Sequence, residues 1–211
     1  LAELLFGVKP IESGEIRING KKVNITSPEE AIKHKMCFIT EDRQGTGLFL
    51  NLPVLDNLVM ASYINNKSEI VSLREDAKNA KEFVKKLNIV TPTIHQKVVF
   101  LSGGNQQKVV LGKWFLTNGQ IFIFDEPTVG IDVGAKEEIY KLMINLLKEG
   151  KSIIMISSDM MELLAMSDRI NVMRDGEIVA ELQKNEFSEE NILKYSIGVT
   201  MEGSNLGYES R

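Results

Sequence analysis

The sequence is short of several features that would assign a chain to a specialised class of protein. It contains one cysteine, Cys37, among 211 residues, which excludes an intramolecular disulfide and a zinc site built from several cysteines. Its 29 acidic residues outnumber the 25 basic ones, so the net charge of -4 favours no nucleic-acid partner. No apolar run approaches the roughly 20 residues of a membrane-spanning helix, so we expect a chain that does not itself cross a bilayer.

The chain also lacks a phosphate-binding loop of the usual pattern. That pattern is Gly-x4-Gly-Lys-Ser/Thr, placed between a strand and a helix. Gly150-Lys151-Ser152 matches its last three positions, but Asn145 stands where the first glycine belongs. This segment also follows a predicted helix and precedes a predicted strand, so we exclude it as a phosphate-binding loop.

The rest of the composition is that of a globular chain with alternating strands and helices. Hydrophobic residues make up 43% and charged residues 26% of the sequence, which excludes disorder as its main state. Asn19-Gly20 lies between two alternating apolar segments and predicts a β-hairpin. Apolar strands alternating with helices predict an α/β fold with a mostly parallel sheet. The predicted buried strands are 36–40, 121–124 and 152–157.

One domain is predicted over residues 1–199, and it contains a helical insertion at about 52–95. The polar, glycine-containing segment 200–211 is predicted to be a disordered tail. An amphipathic helix is predicted at 135–148 from the 3.6-residue period of its apolar side chains. The side chains assigned to its buried face are Ile139, Leu142, Met143, Leu146 and Leu147.

Six apolar side chains crowd the start of the predicted insertion. They are Leu48, Phe49, Leu52, Val54, Leu55 and Leu58. One short helix cannot bury all of them on a single face, so one interpretation is that several form a surface for a partner. The alternative is that they form the core of the insertion itself.

Two carboxylates, Asp125 and Glu126, follow the apolar strand predicted at 121–124. A buried parallel strand that ends in aspartate carries that carboxylate to the carboxyl edge of the sheet, where ligands of α/β proteins bind. Asp125 could hold Mg²⁺ there through water, and Glu126 could position or deprotonate an attacking water. The alternative is an ordinary strand end that meets solvent.

A second candidate site is the segment Leu101-Ser102-Gly103-Gly104-Asn105, just before a predicted helix. Glycine allows a ligand to approach the backbone closely. Free N–H groups at a helix start, together with a serine hydroxyl, favour phosphate. The alternative is that Ser102 is an ordinary helix N-cap.

Together, these segments resemble the ATPase subunits of ABC transporters. Leu101–Lys108, with the sequence LSGGNQQK, resembles the signature motif of that family, and Ile121–Pro127 resembles its Walker B strand with the catalytic glutamate. Gly130-Ile131-Asp132 resembles the D-loop that follows. The runs LSGGNQQ and DEPTVGIDVGAK resemble the branch of monosaccharide importers of the ribose, galactose and xylose type, whose ATPase polypeptide carries two nucleotide-binding halves. The chain is similar to the second half.

The resemblance implies a head-to-tail sandwich of two such halves around two ATP molecules with Mg²⁺. In that sandwich Ser102, Gly103, Gly104 and Asn105 contact the ATP held by the other half, and Asp132 lies in the neighbouring D-loop. Closure on ATP would drive transmembrane permease subunits, which receive the sugar from a periplasmic or extracellular sugar-binding protein. The implied protein is an ATP-hydrolysing subunit for monosaccharide import, peripheral on the cytoplasmic face of the cell membrane, whose helical insertion contacts the permease.

Two positions depart from the family pattern. Aligning the segment after the strand at 152–157 puts Ser158 at the position of the switch histidine, and Glu41 falls at the position of the Q-loop glutamine. Serine does not titrate near neutral pH as histidine does, and an added carboxylate repels a γ-phosphate. The resemblance therefore implies a catalytic Glu126 in an impaired site.

The first residues suggest that the chain begins inside a longer protein. Leu1–Phe6 resembles the last turns of a helix, and Gly7 follows as its terminator. In the family the Walker A loop lies just before this helix. Because that loop supplies most of the phosphate contacts, we expect the 211-residue chain alone to bind ATP poorly and to be inactive.

Three functions remain open from the sequence. The chain could be an energy-coupling ATPase half of a sugar importer, or a catalytically degenerate half that structurally completes the ATP site of its partner half. It could also be a soluble ABC ATPase without a membrane partner, as in DNA repair or translation. The acidic balance and the single short helical insertion disfavour the third.

Overall fold

The computed structural model of the chain describes residues 1–65 and 72–198. These residues form two compact units, the first over Leu1–Ile156 and the second starting at Ser157. Part of the predicted helical insertion, 66–71, and the predicted tail, 200–211, lie outside the described residues. In the described part of the chain, no helix combines the length and the apolar character that crossing a membrane requires.

The first unit contains helices, strands and short turns in alternation. Its helices are α1 (Ala2–Leu5), α2 (Pro28–Lys33), α3 (Val54–Val59), α4 (Leu73–Lys86), α5 (Gly103–Phe115) and α6 (Val133–Lys148). Its strands are β1 (Ile16–Ile18), β2 (Lys21–Val23), β3 (Met36–Ile39), β4 (Ile121–Asp125) and β5 (Ser152–Ile156). A π-helical turn spans Arg43–Gly47, and 3₁₀ turns span Met60–Asn65 and Val98–Phe100.

The parallel sheet of the first unit has the strand order β3-β4-β5. Its central strand β4 is the most apolar, and its phenylalanine and isoleucine side chains are largely buried. Ile39 pairs with Phe124, and Asp125 pairs with Ile156, so the three strands end at one edge. The three predicted strands and the α/β fold class are confirmed, and the candidate carboxylates lie at the carboxyl edge of this sheet.

The predicted hairpin is confirmed as β1 and β2, which pair antiparallel. Its turn residues Asn19 and Gly20 both have positive φ, 51° and 76°. Two consecutive positive φ angles define the turn type whose twist matches that of paired strands, and Asn-Gly adopts it at little cost.

One side chain assigned to the buried face of α6 was predicted wrongly. Ile139, Met143 and Leu146 are buried, but Leu147 is 41% exposed. At 3.6 residues per turn, Leu147 lies about 80° around the helix from Ile139, at the margin of the apolar stripe.

The second unit contains α7 (Met160–Met166), β6 (Arg169–Arg174), β7 (Glu177–Gln183) and α8 (Glu189–Ile197). β6 and β7 pair antiparallel around the turn at Asp175-Gly176. Its own small core consists of Ile170, Val172, Leu182 and Ile192.

Candidate functional site

The start of α5 carries the glycine-rich candidate segment, and its serine occupies the N-cap position without a capping hydrogen bond. The Ser102 side chain makes no capping hydrogen bond to a backbone N–H in the first turn of α5. Its Oγ instead accepts a hydrogen bond from Asn105 Nδ2 at 2.9 Å. Ser102 therefore takes the N-cap position, as the alternative expected, but without the capping hydrogen bond, and this side chain leaves the N–H groups at the start of a 13-residue helix open.

Asn105 links the start of α5 to the end of the helical insertion. Its Oδ1 accepts a hydrogen bond from the Val90 N–H at 2.8 Å, while its Nδ2 donates to Ser102. Both polar atoms of this side chain are therefore engaged within the first unit. The arrangement fixes the orientation of the Ser102 hydroxyl.

The two glycines allow α5 to begin in close contact with two other segments. A Cβ on Gly104 would lie 2.9 Å from the Ala135 Cβ and 3.9 Å from Asp132 Oδ2. A Cβ on Gly103 would lie 2.9 Å from the Arg43 guanidinium. Real Cβ atoms do not approach other heavy atoms this closely, so any side chain at either position would displace a neighbour.

Asp132 lies at the start of α6, next to these glycines. Its Oδ1 accepts a hydrogen bond from the Ala135 N–H at 3.0 Å, so it is the N-cap of α6. A cap of this kind stabilises a helix by about 1 kcal/mol. It also holds Ala135 where it meets Gly104.

Asp125 and Glu126 lie together at the end of β4, as the sequence predicted. Burial raises the pKa of Asp125, and the negative charges of Glu41 and Glu126 raise it further. Glu41 is exposed and lies two residues beyond the end of β3, the neighbouring strand. The structure therefore brings three of the predicted site carboxylates to the same sheet edge.

Glu126 has an unusual backbone. Its φ is +47°, a left-handed conformation that residues with a Cβ rarely adopt. Its N–H donates to the Ile156 carbonyl oxygen at 2.9 Å, which holds the strained residue against the end of β5. Such strain costs about 1–3 kcal/mol and concentrates at functional sites.

Ser158 lies in the second unit, in the exposed segment between β5 and α7. The next residue, Asp159, is the N-cap of α7, and its side chain accepts hydrogen bonds from the Met161 and Glu162 N–H groups at 3.1 and 3.2 Å. The segment that carries Ser158 thus ends at a capped helix.

The donor set fits a divalent cation that is shared with a ligand. Among residues 1–65 and 72–198, no three acidic, histidine or cysteine side chains are grouped as a protein-only metal site. Mg²⁺ needs no such group, because it is held by one or two carboxylates together with phosphate oxygens and water. Burial and the charges of Glu41 and Glu126 raise the pKa of Asp125, and a cation beside this carboxyl would favour its ionised form.

Sequence reasoning missed the residues that tie the turn Arg43–Gly47 to its surroundings. Gln44 Nε2 donates to Gln106 Oε1 at 2.9 Å, which joins the turn to α5. Lys113 Nζ, also on α5, donates to the Gly47 carbonyl oxygen at 2.6 Å, and burial lowers the pKa of this amine to about 8. A polar loop containing glycine gives no signal for such contacts, because they depend on tertiary placement.

The apolar cluster at the start of the insertion divides between the two interpretations. Leu48, Val54 and Leu58 are buried, whereas Phe49 is 60% and Leu52 40% exposed. Part of the cluster is therefore core, and part is a solvent-facing apolar surface.

Asn57 was also missed, and it orders the segment that carries the exposed side chains. Its buried amide accepts from the Phe49 N–H at 2.8 Å and donates to the Phe49 and Pro53 carbonyl oxygens at 3.0 Å each. A polar residue on the apolar face of α3 was the available signal, because a buried amide needs partners.

The parallel sheet with carboxylates at its edge, beside a glycine-rich helix start, defines a domain of the ATP-binding cassette type. The ADP- and Pi-bound dimeric cassette MJ0796 shares this fold with a TM-score of 0.75, at 23% identity over 87% of this chain and 78% of that chain. The ADP conformation of MJ1267, a cassette of an ABC transporter, has a TM-score of 0.73 at 21% identity over 93% of this chain and 82% of that one. The sequence pattern of the ABC transporter family matches residues 1–129, and the chain belongs to this family.

Relatives with higher identity are named as sugar-import proteins. The ribose import ATP-binding protein RbsA of Clostridium perfringens (strain 13 / Type A) is 44% identical over 201 residues, which are 94% of this chain and 40% of the relative. RbsA of Clostridium tetani (strain Massachusetts / E88) is 44% identical over 199 residues, 93% of this chain and 39% of the relative. The chain thus spans about two fifths of the length of these relatives.

Proposed function

We propose that this chain is part of an ATP-hydrolysing subunit that powers the import of a monosaccharide of the ribose type. The relatives that match nearly the whole chain are named as ribose import ATP-binding proteins. The observation that carries the proposal is the uncapped start of α5, whose Gly103 and Gly104 open the backbone to a phosphate.

The site residues take distinct roles in this proposal. Ser102, Gly103 and Gly104 present a hydroxyl and backbone N–H groups to an ATP held by another nucleotide-binding half. Asn105 orients the Ser102 hydroxyl, since its own polar atoms are engaged within the chain. Asp132 caps α6 and so supports the glycine surface.

The carboxylate edge serves the ATP bound on this chain's own side. Mg²⁺, when bound with the nucleotide, would neutralise charge on the phosphates. Asp125 would orient a water ligand of that ion, and Glu126 would accept a proton from the attacking water. Ser158, at the switch position, offers a hydroxyl but no titratable group near neutral pH.

A second candidate function is supported by the electrostatics at this edge. Glu41 raises the pKa of Asp125, so the three carboxylates repel one another and would also repel a γ-phosphate. This observation favours a half that turns over its own ATP poorly and completes the ATP site of its partner half.

Partners and location follow from the import function. In this proposal residues 1–199 form one domain, which is peripheral on the cytoplasmic face of the membrane. It would contact transmembrane permease subunits, which receive the sugar from a sugar-binding protein. Exposed Phe49 and Leu52 support this arrangement, because they form an apolar surface at the start of the insertion.

Uptake of ribose into vesicles tests the proposal. The complete protein, assembled with its permease in lipid vesicles, should accumulate labelled ribose only with Mg-ATP and the sugar-loaded binding protein. A non-hydrolysable ATP analogue serves as the control. Absence of both uptake and ATP hydrolysis in the assembled protein would overturn the proposed function.

A pair of neighbouring variants tests the partner surface. Phe49→Asp should abolish uptake and leave the melting temperature unchanged, because the side chain is mostly exposed. Leu48→Asp should unfold the protein, because it buries an unpaired charge at a cost of about 3–5 kcal/mol. If Phe49→Asp unfolds the protein as Leu48→Asp does, Phe49 belongs to the core.

A further inference from the structure

Arg43 connects three segments of the first unit that are far apart in sequence. Its Nη1 donates to the Val129 carbonyl oxygen at 2.9 Å and its Nη2 to the Gly130 carbonyl oxygen at 3.1 Å. These carbonyls belong to the turn between the carboxylate edge and Asp132. Arg43 itself opens the π-helical turn that follows Glu41.

The same guanidinium lies against the start of α5. A Cβ on Gly103 would lie 2.9 Å from Arg43 Nη2 and 3.3 Å from the Gly130 carbonyl oxygen. A Cβ on Gly130, whose φ is +68°, would lie 3.5 Å from the same Nη2 atom. The guanidinium therefore lies between the two glycines, and a side chain at Gly103 would crowd it, whereas one at Gly130 would only touch it.

Two hydrogen bonds to backbone carbonyl oxygens hold the Arg43 guanidinium. Its Nε is buried and has no hydrogen-bond partner among the described residues. Two carbonyls at fixed spacing match the planar fork of a guanidinium, whereas a lysine ammonium would reach them only as a point charge. Hydrogen bonds from a charged donor are also about twice as strong as neutral ones.

We propose that Arg43 is a positioning residue that holds the Val129-Gly130 turn against the start of α5. It thereby sets the shape of the surface that Ser102, Gly103 and Gly104 offer to the ATP of the other half. Because Arg43 lies between Glu41 and Phe49, it also links that surface to the segment carrying the exposed apolar side chains. The inference rests on the proposed function, since it concerns the same site.

The proposal predicts which kinetic parameter changes. In the proposed function, the phosphate loop of the other half would hold ATP, and the α5 surface would engage it on closure. Arg43→Ala in the complete, permease-bound protein should therefore lower kcat about 10- to 100-fold, the size expected for losing a hydrogen-bonded charge. The KM for ATP should change less than about 3-fold.

Matched variants separate positioning from charge and from folding. Arg43→Lys keeps the positive charge but loses the planar pair of N–H donors, so its kcat should stay well below that of the wild type. Guanidinium ion at sub-denaturing concentration should partly restore Arg43→Ala and not Arg43→Lys, in which the ammonium fills the site. Arg17→Ala removes an exposed arginine from the hairpin, where it contacts Glu15, and should leave kcat unchanged.

A double-mutant cycle probes the contact itself. Gly103→Ala adds a methyl group against the guanidinium, so it should lower kcat strongly when Arg43 is present. In an Arg43→Ala background that collision is gone and only the 3.3 Å approach to the Gly130 carbonyl oxygen remains, so Gly103→Ala should lower kcat less. Additive losses would overturn the proposed contact.

The outcomes for Arg43 and for the proposed function can be told apart. If the wild-type complex hydrolyses no ATP, the proposed function fails whatever Arg43 does. If the wild type is active and Arg43→Ala or Arg43→Lys retains its full kcat, the positioning role is overturned. If Arg43→Ala does not fold, the kcat of folded Arg43→Lys decides. A value near that of the wild type overturns the positioning role, and a value well below it, not restored by guanidinium, supports it.

Discussion

The start of α5 and the carboxyl edge of β4 lie in one unit, yet they differ in how their polar side chains are stabilised. At the start of α5 the polar side chains are held in place: Asn105 orients Ser102, and Asp132 caps α6. At the edge of β4, Asp125 lies among like charges and Glu126 has a strained backbone. In the first region the polar side chains are held within this chain and the helix N–H groups stay open, whereas the second region brings like charges together.

This difference indicates which region contributes more to ATP turnover in the proposed transporter. A pre-organised surface binds without further ordering, and its glycines keep side chains away from the ligand. A repulsive carboxylate edge binds the phosphates of its own ATP weakly. We therefore infer that this chain contributes more to the ATP site of the other half than to its own.

The largest expected effect comes from filling the glycine surface. Gly104→Asp introduces a side chain 2.9 Å from Ala135 and a charge beside Asp132, where phosphate must approach. ATP turnover of the complete, permease-bound protein should fall by at least about 100-fold, as when a stabilising donor is lost from an active site. Gly104→Ala, measured alongside, separates the steric part from the charge. Near-normal turnover in Gly104→Asp would contradict the larger role inferred for the start of α5.

Removing the cap beneath that surface should have a moderate effect. Asp132→Ala deletes the N-cap of α6 and should lower the free energy of unfolding by about 1 kcal/mol. Chemical denaturation of the complete protein measures this loss, and Asp132→Asn, which keeps an accepting oxygen, should recover most of it. Equal destabilisation by both variants would show that the cap is not the cause.

A smaller effect is expected at the carboxylate edge. Losing a working general base costs roughly 10²–10⁴ in rate, whereas Glu126→Gln should lower the steady-state ATPase rate of the whole protein less than about 10-fold. The assay is the same as for Gly104→Asp, with the sugar-loaded binding protein present. If the two variants are equally inactive, this half hydrolyses its own ATP, and the interpretation of Glu41 and Ser158 as disabling is wrong.

The smallest effect concerns the pKa of Asp125. A carboxyl whose pKa is raised on folding binds its proton more tightly when folded, so stability falls as pH rises from the ordinary value through the raised one. Glu41→Gln removes one raising charge and should reduce this loss. Thermal unfolding across acidic pH should show a flatter dependence in the variant, and Glu15→Gln, on the remote hairpin, should show none of this flattening.

Much of the frame of this unit follows from local pattern. The apolar run of β4 and the Asn19-Gly20 turn were predictable because burial and positive φ impose their own residue types. The same patterns placed Asp125 and Glu126 at a sheet edge. Periodicity failed at Leu147, because it gives the direction of a face but not its width.

The contacts that organise the site were not predictable from sequence. Arg43 reaches residues more than eighty positions away, and nothing in its neighbours signals this. Leu48 and Phe49 are adjacent and equally apolar, yet one is buried and the other is 60% exposed. Only the tertiary placement of the Arg43–Gly47 turn and of Asn57 distinguishes them.

The hydrogen bonds of Asn57 have a consequence for the entropy of docking. The Phe49 N–H and carbonyl are both held by one buried amide, so the backbone that carries the exposed ring is already ordered. Fixing the backbone of one residue costs about 1–2 kcal/mol of conformational entropy, and at Phe49 this entropy is already lost on folding. A partner that receives the Phe49 ring therefore loses only the rotamer freedom of one stiff aromatic side chain.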